Sequence, residues 1–165
     1  MRYASLRKQD IQNGPGIRTS IFVQGCTFHC KECFNSETWP FEGGKEFSKK
    51  EMDLLMDLSA KPYIVGLSVL GGEPLHPVNI DTVIAICKTF KEKYPEKSIW
   101  LWSGYRYEEI VNKDILNYLD VLMDGKFNYD LRYFKLMYRG SSNQRVIDVK
   151  ESLKQDKIVL MEVDK

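Results

Sequence analysis

The sequence predicts an α/β chain folded as a partial, open βα barrel around a mostly parallel sheet. Three observations carry this. Short β-branched and aromatic runs alternate with amphipathic segments, the order produced by parallel strands joined through helical crossovers. The units are too few to close an eight-fold barrel, which typically takes ~250 residues, against 165 here. The segments richest in candidate functional residues each follow a strand-like run, where open parallel sheets place their ligands.

Ile17–Val23, IRTSIFV, has the composition of a strand. It runs into Gln24–Asn35, QGCTFHCKECFN, whose small and polar residues read as irregular. Ser48 followed by Glu51 is a capping-box signature, and Met52, Leu55, Met56 and Leu58 sketch an amphipathic helix ending before Lys61-Pro62. Tyr63–Leu70 is a short apolar run, read as a buried strand, that empties into Gly71-Gly72-Glu73-Pro74. After Pro77, the spacing of Ile80, Val83, Ile84 and Cys87 predicts a helix with one buried face. Ser98–Trp102 reads as a strand, Glu108–Leu119 as a helix and Val121–Asp124 as a short strand. Arg145–Val149 and Ile158–Val163 read as late strands around a short helix.

A chain of 165 residues suits one domain, spanning 1–165. Hydrophobic residues at 43% and charged ones at 28% place it among ordinary globular proteins. The formal charge of +1 and the lack of a basic run argue against nucleic-acid binding. The first ten residues have no apolar core of a secretory signal. The longest apolar stretch falls short of the ~20 residues that span a bilayer. The expectation is a cytoplasmic protein with no membrane association.

Three of the four cysteines, Cys26, Cys30 and Cys33, crowd into eight residues with the spacing C-x3-C-x2-C. Reduced, clustered thiols point to metal. A closed [4Fe–4S] cluster takes four thiolates, so three would leave one iron open, and open positions are where metal chemistry happens. Zinc is the alternative, with His29 or Cys87 as fourth ligand. Cys87 on an apolar helix face needs no function at all. Gly71-Gly72-Glu73-Pro74 lacks the Lys and Ser/Thr of a P-loop. It is either a tight strand-to-helix turn or a place where two glycines let the backbone approach a ligand, with Glu73 holding an ammonium group or bracing the loop.

C-x3-C-x2-C after one strand and GGEP after the next resemble the radical S-adenosylmethionine superfamily. Asn13-Gly14-Pro15-Gly16-Ile17-Arg18, Cys33–Trp39 and Leu101-Trp102-Ser103-Gly104-Tyr105 resemble glycyl-radical-enzyme activases. Asp124-Gly125-Lys126-Phe127 and Arg139–Arg145 resemble one branch, the activating proteins of anaerobic (class III) ribonucleoside-triphosphate reductases. The likeness runs from about Asp10 to Val149.

The resemblance implies an activase that makes a glycyl radical by reductive cleavage of S-adenosylmethionine. Cys26, Cys30 and Cys33 would ligate a [4Fe–4S] cluster. Its open iron would take the amino and carboxylate groups of S-adenosyl-L-methionine. Glu32, Cys33 and Phe34 would border the adenine; Gly71, Gly72 and Glu73 would meet the methionyl part; Ser103, Asp124 and Lys126 would point toward the pocket. No side chain is assigned acid–base catalysis, since the cofactor supplies the reactivity. The partners implied are the glycyl-radical subunit of the reductase and a one-electron donor such as flavodoxin. Three other readings stay open: an activase of a different glycyl-radical enzyme, a radical enzyme acting on a small molecule, and a zinc-stabilised interaction module. For Asp124-Gly125-Lys126 a solvated turn is the alternative. Arg139–Arg145 either contacts the partner or forms a structured turn.

Overall fold

The structure, a computed structural model, describes residues 1–164. Seven strands form one sheet: β1 (Arg2–Asp10), β2 (Ile17–Val23), β3 (Lys45–Glu46), β4 (Ile64–Gly71), β5 (Ser98–Trp102), β6 (Val121–Asp124) and β7 (Arg145–Asp148). Their order is β3-β1-β2-β4-β5-β6-β7. The central strands β2, β4, β5 and β6 are mutually parallel. The flanks β3, β1 and β7 pair antiparallel. The sheet is open, as expected of a partial barrel. Three strands, β2, β5 and β6, start and stop at the residues their composition marks out.

Because side chains alternate along a strand, the two faces carry different cores. Ile21, Val23, Leu67, Val69, Ile99, Leu101 and Leu122 join the large core. The helices α1 (Lys49–Ser59), α2 (Ile80–Lys93), α3 (Tyr107–Ile110) and α4 (Val149–Gln155) all add to it, through residues such as Leu55, Phe90, Ile110 and Val149. On the other face Trp100, Val121, Met123 and Val146 pack with Trp102, Tyr138, Met161 and Val163. None of these comes from a helix, so the second face stays open toward the ends of the strands.

Local signals explain the helix starts. At α1 the Ser48 backbone N–H donates to Glu51 Oε1 at 2.9 Å, the capping-box contact the sequence announces. In α2, Val83, Ile86, Cys87 and Phe90 are fully buried, while Ile80 and Ile84 pack at the margin of the same core.

Two expectations need correction. The helix expected over Glu108–Leu119 is broken into α3 and a 3-10 segment, Asp114–Tyr118. At 3.6 residues per turn, Tyr107 and Ile110 would face nearly opposite Ile115, Leu116 and Leu119. All five are buried, so the chain breaks around Asn112 to bury both sets. The strand expected over Ile158–Val163 is a single antiparallel bridge, Leu160 to Ile147. Ile158 packs on the helix side while Met161 and Val163 join the other core. The tail therefore crosses the sheet edge instead of running along it. Strands β1 and β3 carry no strand signal in the sequence. Most of β1 is only half-buried or exposed, with register shifts against β2, which erases the alternation a sequence reader looks for.

Candidate cluster and cofactor site

The carboxyl ends of the four parallel strands open onto one cavity of about 1030 Å³, at the upper end of ligand-pocket sizes. The loops after all four contribute: Cys26, Cys30 and Cys33 after β2, Gly72 after β4, Ser103 after β5 and Lys126 after β6.

The cysteine loop is anchored on both sides. The Gly25 N–H donates to Thr38 O at 2.6 Å and the Cys26 N–H to Trp39 O at 3.0 Å, so the chain after Cys33 folds back against its start. The Asn79 amide donates to Gln24 O at 3.1 Å and to Glu73 O at 3.0 Å. Between the cysteines, His29 and Glu32 take left-handed backbone at φ 48° and 58°, which coils the loop tightly. The His29 ring stacks on Trp39 with centroids 4.4 Å apart.

Cys26 is buried, Cys30 and Cys33 are half-buried, and all are free thiols. Burial raises the Cys26 thiol above its ordinary pKa, although the Phe28 and His29 backbone N–H groups favour the thiolate. Burial also raises Cys30, and the neighbouring Cys33 adds to it. Three thiolates gathered here therefore need a cationic group between them. In an iron–sulfur cluster each thiolate takes a different iron, so the sulfurs need share only a cavity, and they do. Cys87 lies elsewhere, fully buried on α2, its thiol pushed up to about 12 by burial.

Gly71, the last residue of β4, faces the end of β2, and Gly72 faces the start of the cysteine loop. A Cβ on Gly71 would lie 2.5 Å from Val23 N, and one on Gly72 would lie 2.5 Å from Gly25 O. The Gly72 N–H donates to Val23 O at 2.8 Å and the Glu73 N–H to Gly25 O at 2.7 Å. The glycines thus allow one loop to clamp the other, while the pocket side of both stays in contact with the cavity.

Glu73 is buried, and its carboxylate accepts three hydrogen bonds. Ser103 Oγ and the Leu75 N–H reach Oε2, each at 2.8 Å, and the Gly104 N–H reaches Oε1 at 2.6 Å. Burial nonetheless raises it to about 7. Of the two roles open to Glu73, the observed bonds are those of a brace. Ser103 is correspondingly buried against it.

Asp124 is buried and is not among the cavity-lining residues. Arg145 Nε donates to its Oδ1 at 3.0 Å, and the Tyr107 N–H donates to its Oδ2 at 2.8 Å. Lys126, two residues on, is exposed at the cavity with its Nζ 4.8 Å from the Phe28 ring centroid. Phe34 lines the rim, 5.3 Å from Phe127. Glu32 is exposed and lies outside the lining.

Some contributors were not legible in the sequence. Phe28 fills the space that Gly104 leaves, since a Cβ there would come within 2.4 Å of its ring. Arg145 locks Asp124 from β7, 21 residues away. Neither contact leaves a local signal in the sequence, since each joins residues far apart along the chain. The Arg139–Arg145 segment is a structured turn. Gln144 Oε1 accepts the Gly140 N–H at 3.0 Å, Gln144 Nε2 donates to Gly125 O at 3.0 Å, and Asn143 Nδ2 donates to Lys126 O at 2.8 Å. It props the loop after β6.

Comparisons with known proteins converge on the same features. Residues 12–147 match the family described as a 4Fe-4S single cluster domain. The chain is 40% identical over 146 residues to the anaerobic ribonucleoside-triphosphate reductase-activating protein of Enterobacteria phage T4, covering 88% of this chain and 93% of that one. It is 41% identical over 150 residues to the protein of that name from Salmonella typhi and 38% identical over 150 to that from Escherichia coli K12, covering 88% of this chain and 97% of each relative. With this identity over nearly the full length of both partners, and a cysteine loop opening onto a strand-end cavity, the chain belongs to the family of anaerobic ribonucleoside-triphosphate reductase-activating proteins.

Proposed function

We propose that this chain is a single-domain activase that installs the glycyl radical of an anaerobic ribonucleoside-triphosphate reductase. The observation that carries the reading is the convergence of Cys26, Cys30 and Cys33 with Gly72, Ser103 and Lys126 on one cavity. Cys26, Cys30 and Cys33 would hold a [4Fe–4S] cluster. When bound, it would supply the one electron that splits S-adenosylmethionine into methionine and a 5′-deoxyadenosyl radical, which would become 5′-deoxyadenosine on taking a glycine hydrogen.

The remaining residues bind and orient. Gly71 and Gly72 set the β4 loop against the cysteine loop and present backbone polar groups to the methionyl part. Glu73 and Ser103 hold that loop at a fixed distance from the loop after β5. Lys126 is a mobile point charge suited to the methionyl carboxylate, and Asp124, locked by Arg145, fixes the turn that carries it. Phe34, with the backbone of Glu32 and Cys33, borders the adenine. Phe28 fills the cavity floor beside them and keeps water out.

Hydrogen abstraction requires atoms within about 3–3.5 Å, so a peptide of the reductase must reach the cavity. The helix-free face of the sheet leaves it a path. A flavodoxin is the electron donor and the cytoplasm the compartment in this reading; among the described residues no helix is long and apolar enough to cross a membrane.

Anaerobic reconstitution tests it. The reading expects about four irons and four sulfides per chain, and 5′-deoxyadenosine on adding a reductant and S-adenosylmethionine. One tightly bound zinc and no nucleoside would overturn it.

A further inference from the structure

The cavity has an aromatic and cationic lip built by the segment between Leu131 and Arg139. Its tip exposes Phe134 at 89% and Tyr133 at 51%, with Met137 and Leu131 both at 43%. Both Tyr133 and Phe134 line the cavity mouth, and their rings lie 5.8 Å apart. Isolated exposed apolar residues need no explanation, but a contiguous group at the mouth of a site marks an interaction surface.

The lip is held in place and is not a loose loop. Its base closes by the antiparallel bridge Arg132–Ser141, with the Ser142 N–H donating to Leu131 O at 2.9 Å. Its far side is stapled to the tail: Arg139 Nη2 lies 2.6 Å from Asp164 Oδ2, and the Met137 N–H donates to Asp164 Oδ1 at 2.7 Å. The fold thus spends internal bonds on presenting aromatic side chains to solvent.

We propose that this lip is the docking surface for the glycyl-radical subunit, and that it grips an extended segment carrying apolar side chains next to acidic ones. The proposal rests on the function proposed above and adds to it the place and chemistry of contact. The charge argument selects the occupant. Arg132 and Lys135 flank the aromatic tip, and Arg7 and Lys126 stand at the same cavity. Among the described residues the lining holds two carboxylates, Glu73 and Asp130, and Glu73 is consumed internally. Among the described residues the Arg132 guanidinium meets the Tyr129 ring, at 3.7 Å, and the Tyr129 carbonyl oxygen, and pairs with no carboxylate. A second copy of this chain paired about a two-fold axis would set the same cations against themselves, which argues against self-association here. An acidic, apolar segment entering the cavity satisfies both the aromatics and the charges, and aromatic and arginine side chains are the usual anchors of such contacts.

The test measures anaerobic binding of the cluster-loaded protein to the purified glycyl-radical subunit, alongside 5′-deoxyadenosine release without it. The double variant Tyr133→Ala/Phe134→Ala and the charge-reversed Arg132→Glu/Lys135→Glu are each expected to bind at least ~10-fold more weakly. Nucleoside release without the subunit is expected to match the wild type. The charge-reversed variant removes no aromatic side chain and keeps the test decisive if the alanine variant fails to fold. Wild-type affinity in both variants overturns the docking surface while leaving the activase reading intact. A loss of self-association with unchanged subunit binding also overturns it, in favour of a second copy. A wild-type protein that releases nucleoside but neither binds nor activates the subunit overturns the functional reading and the docking surface together.

Discussion

Ser103 Oγ donates to the Glu73 carboxylate at 2.8 Å across two strand-end loops, entirely within the buried floor of the site. This contact, with the Gly104 N–H on the other carboxylate oxygen, sets the spacing between the two loops that border the cavity. Its chemistry has a measurable consequence.

Burial raises Glu73 to about 7, whereas the unperturbed group titrates at 4.5. Between those values the folded chain holds a proton that the unfolded chain has lost. The contribution of this group to stability is therefore fully present below the unfolded pKa and is lost as pH rises through the folded one, by on the order of 3 kcal/mol. Glu73→Gln removes that dependence. Thermal melts of both proteins across this window should show a flatter slope in the variant; parallel slopes would mean the carboxyl titrates normally.

Arg145 reaches Asp124 from β7 and shields a carboxylate whose side chain is 1% exposed. Removing one member of a buried pair strands the other, at about 3–5 kcal/mol. Arg145→Ala should lower the melting temperature by roughly 6–20 °C in a chain of this size. Adding Asp124→Asn should recover part of that loss. Equal melting temperatures for wild type and Arg145→Ala would show that the pair carries no stability.

A Cβ on Gly72 meets backbone, Gly25 O at 2.5 Å, while one on Gly104 meets the Phe28 ring at 2.4 Å. A ring can swing and a clamped backbone cannot. Gly72→Ala should therefore cost about 1–3 kcal/mol and impair iron uptake by the cysteine loop. Gly104→Ala should load iron nearly normally, with its effect confined to S-adenosylmethionine affinity. Iron content of the two variants after identical reconstitution decides between this and the reverse ranking.

The two kinds of cysteine should separate cleanly. Cys30→Ala removes a side chain that lines the cavity and is expected to abolish nucleoside formation. Cys87→Ala trims a fully buried thiol remote from it, costing about 1 kcal/mol and leaving nucleoside formation largely intact. Comparable losses in both would mean the ligands are misassigned.

How much of this was legible beforehand follows from how local each signal is. The cysteine spacing, GGEP and the capping box at Ser48 depend on a few consecutive residues, and each sits where its pattern implies. The parallel centre of the sheet followed from the alternation of elements. What stayed hidden depends on distant partners. β1 reads as polar because few of its side chains, Tyr3 and Leu6 among them, pack against the core, and its place is set by backbone pairing with β2 and β3. The break near Asn112 arises from two buried faces that one helix cannot serve. The lock on Asp124 depends on Arg145, 21 residues further along the chain. The aromatic lip at Tyr133 and Phe134 becomes meaningful only once the fold sets it at the cavity mouth.

The central claim is that this cavity delivers a radical to a glycine of the reductase. The most direct measurement mixes cluster-loaded protein, reductant, S-adenosylmethionine and the glycyl-radical subunit anaerobically, and follows both electron paramagnetic resonance and nucleoside release. The account predicts a glycine-centred radical on the subunit together with 5′-deoxyadenosine in comparable amount. A fully loaded cluster that yields neither would contradict it.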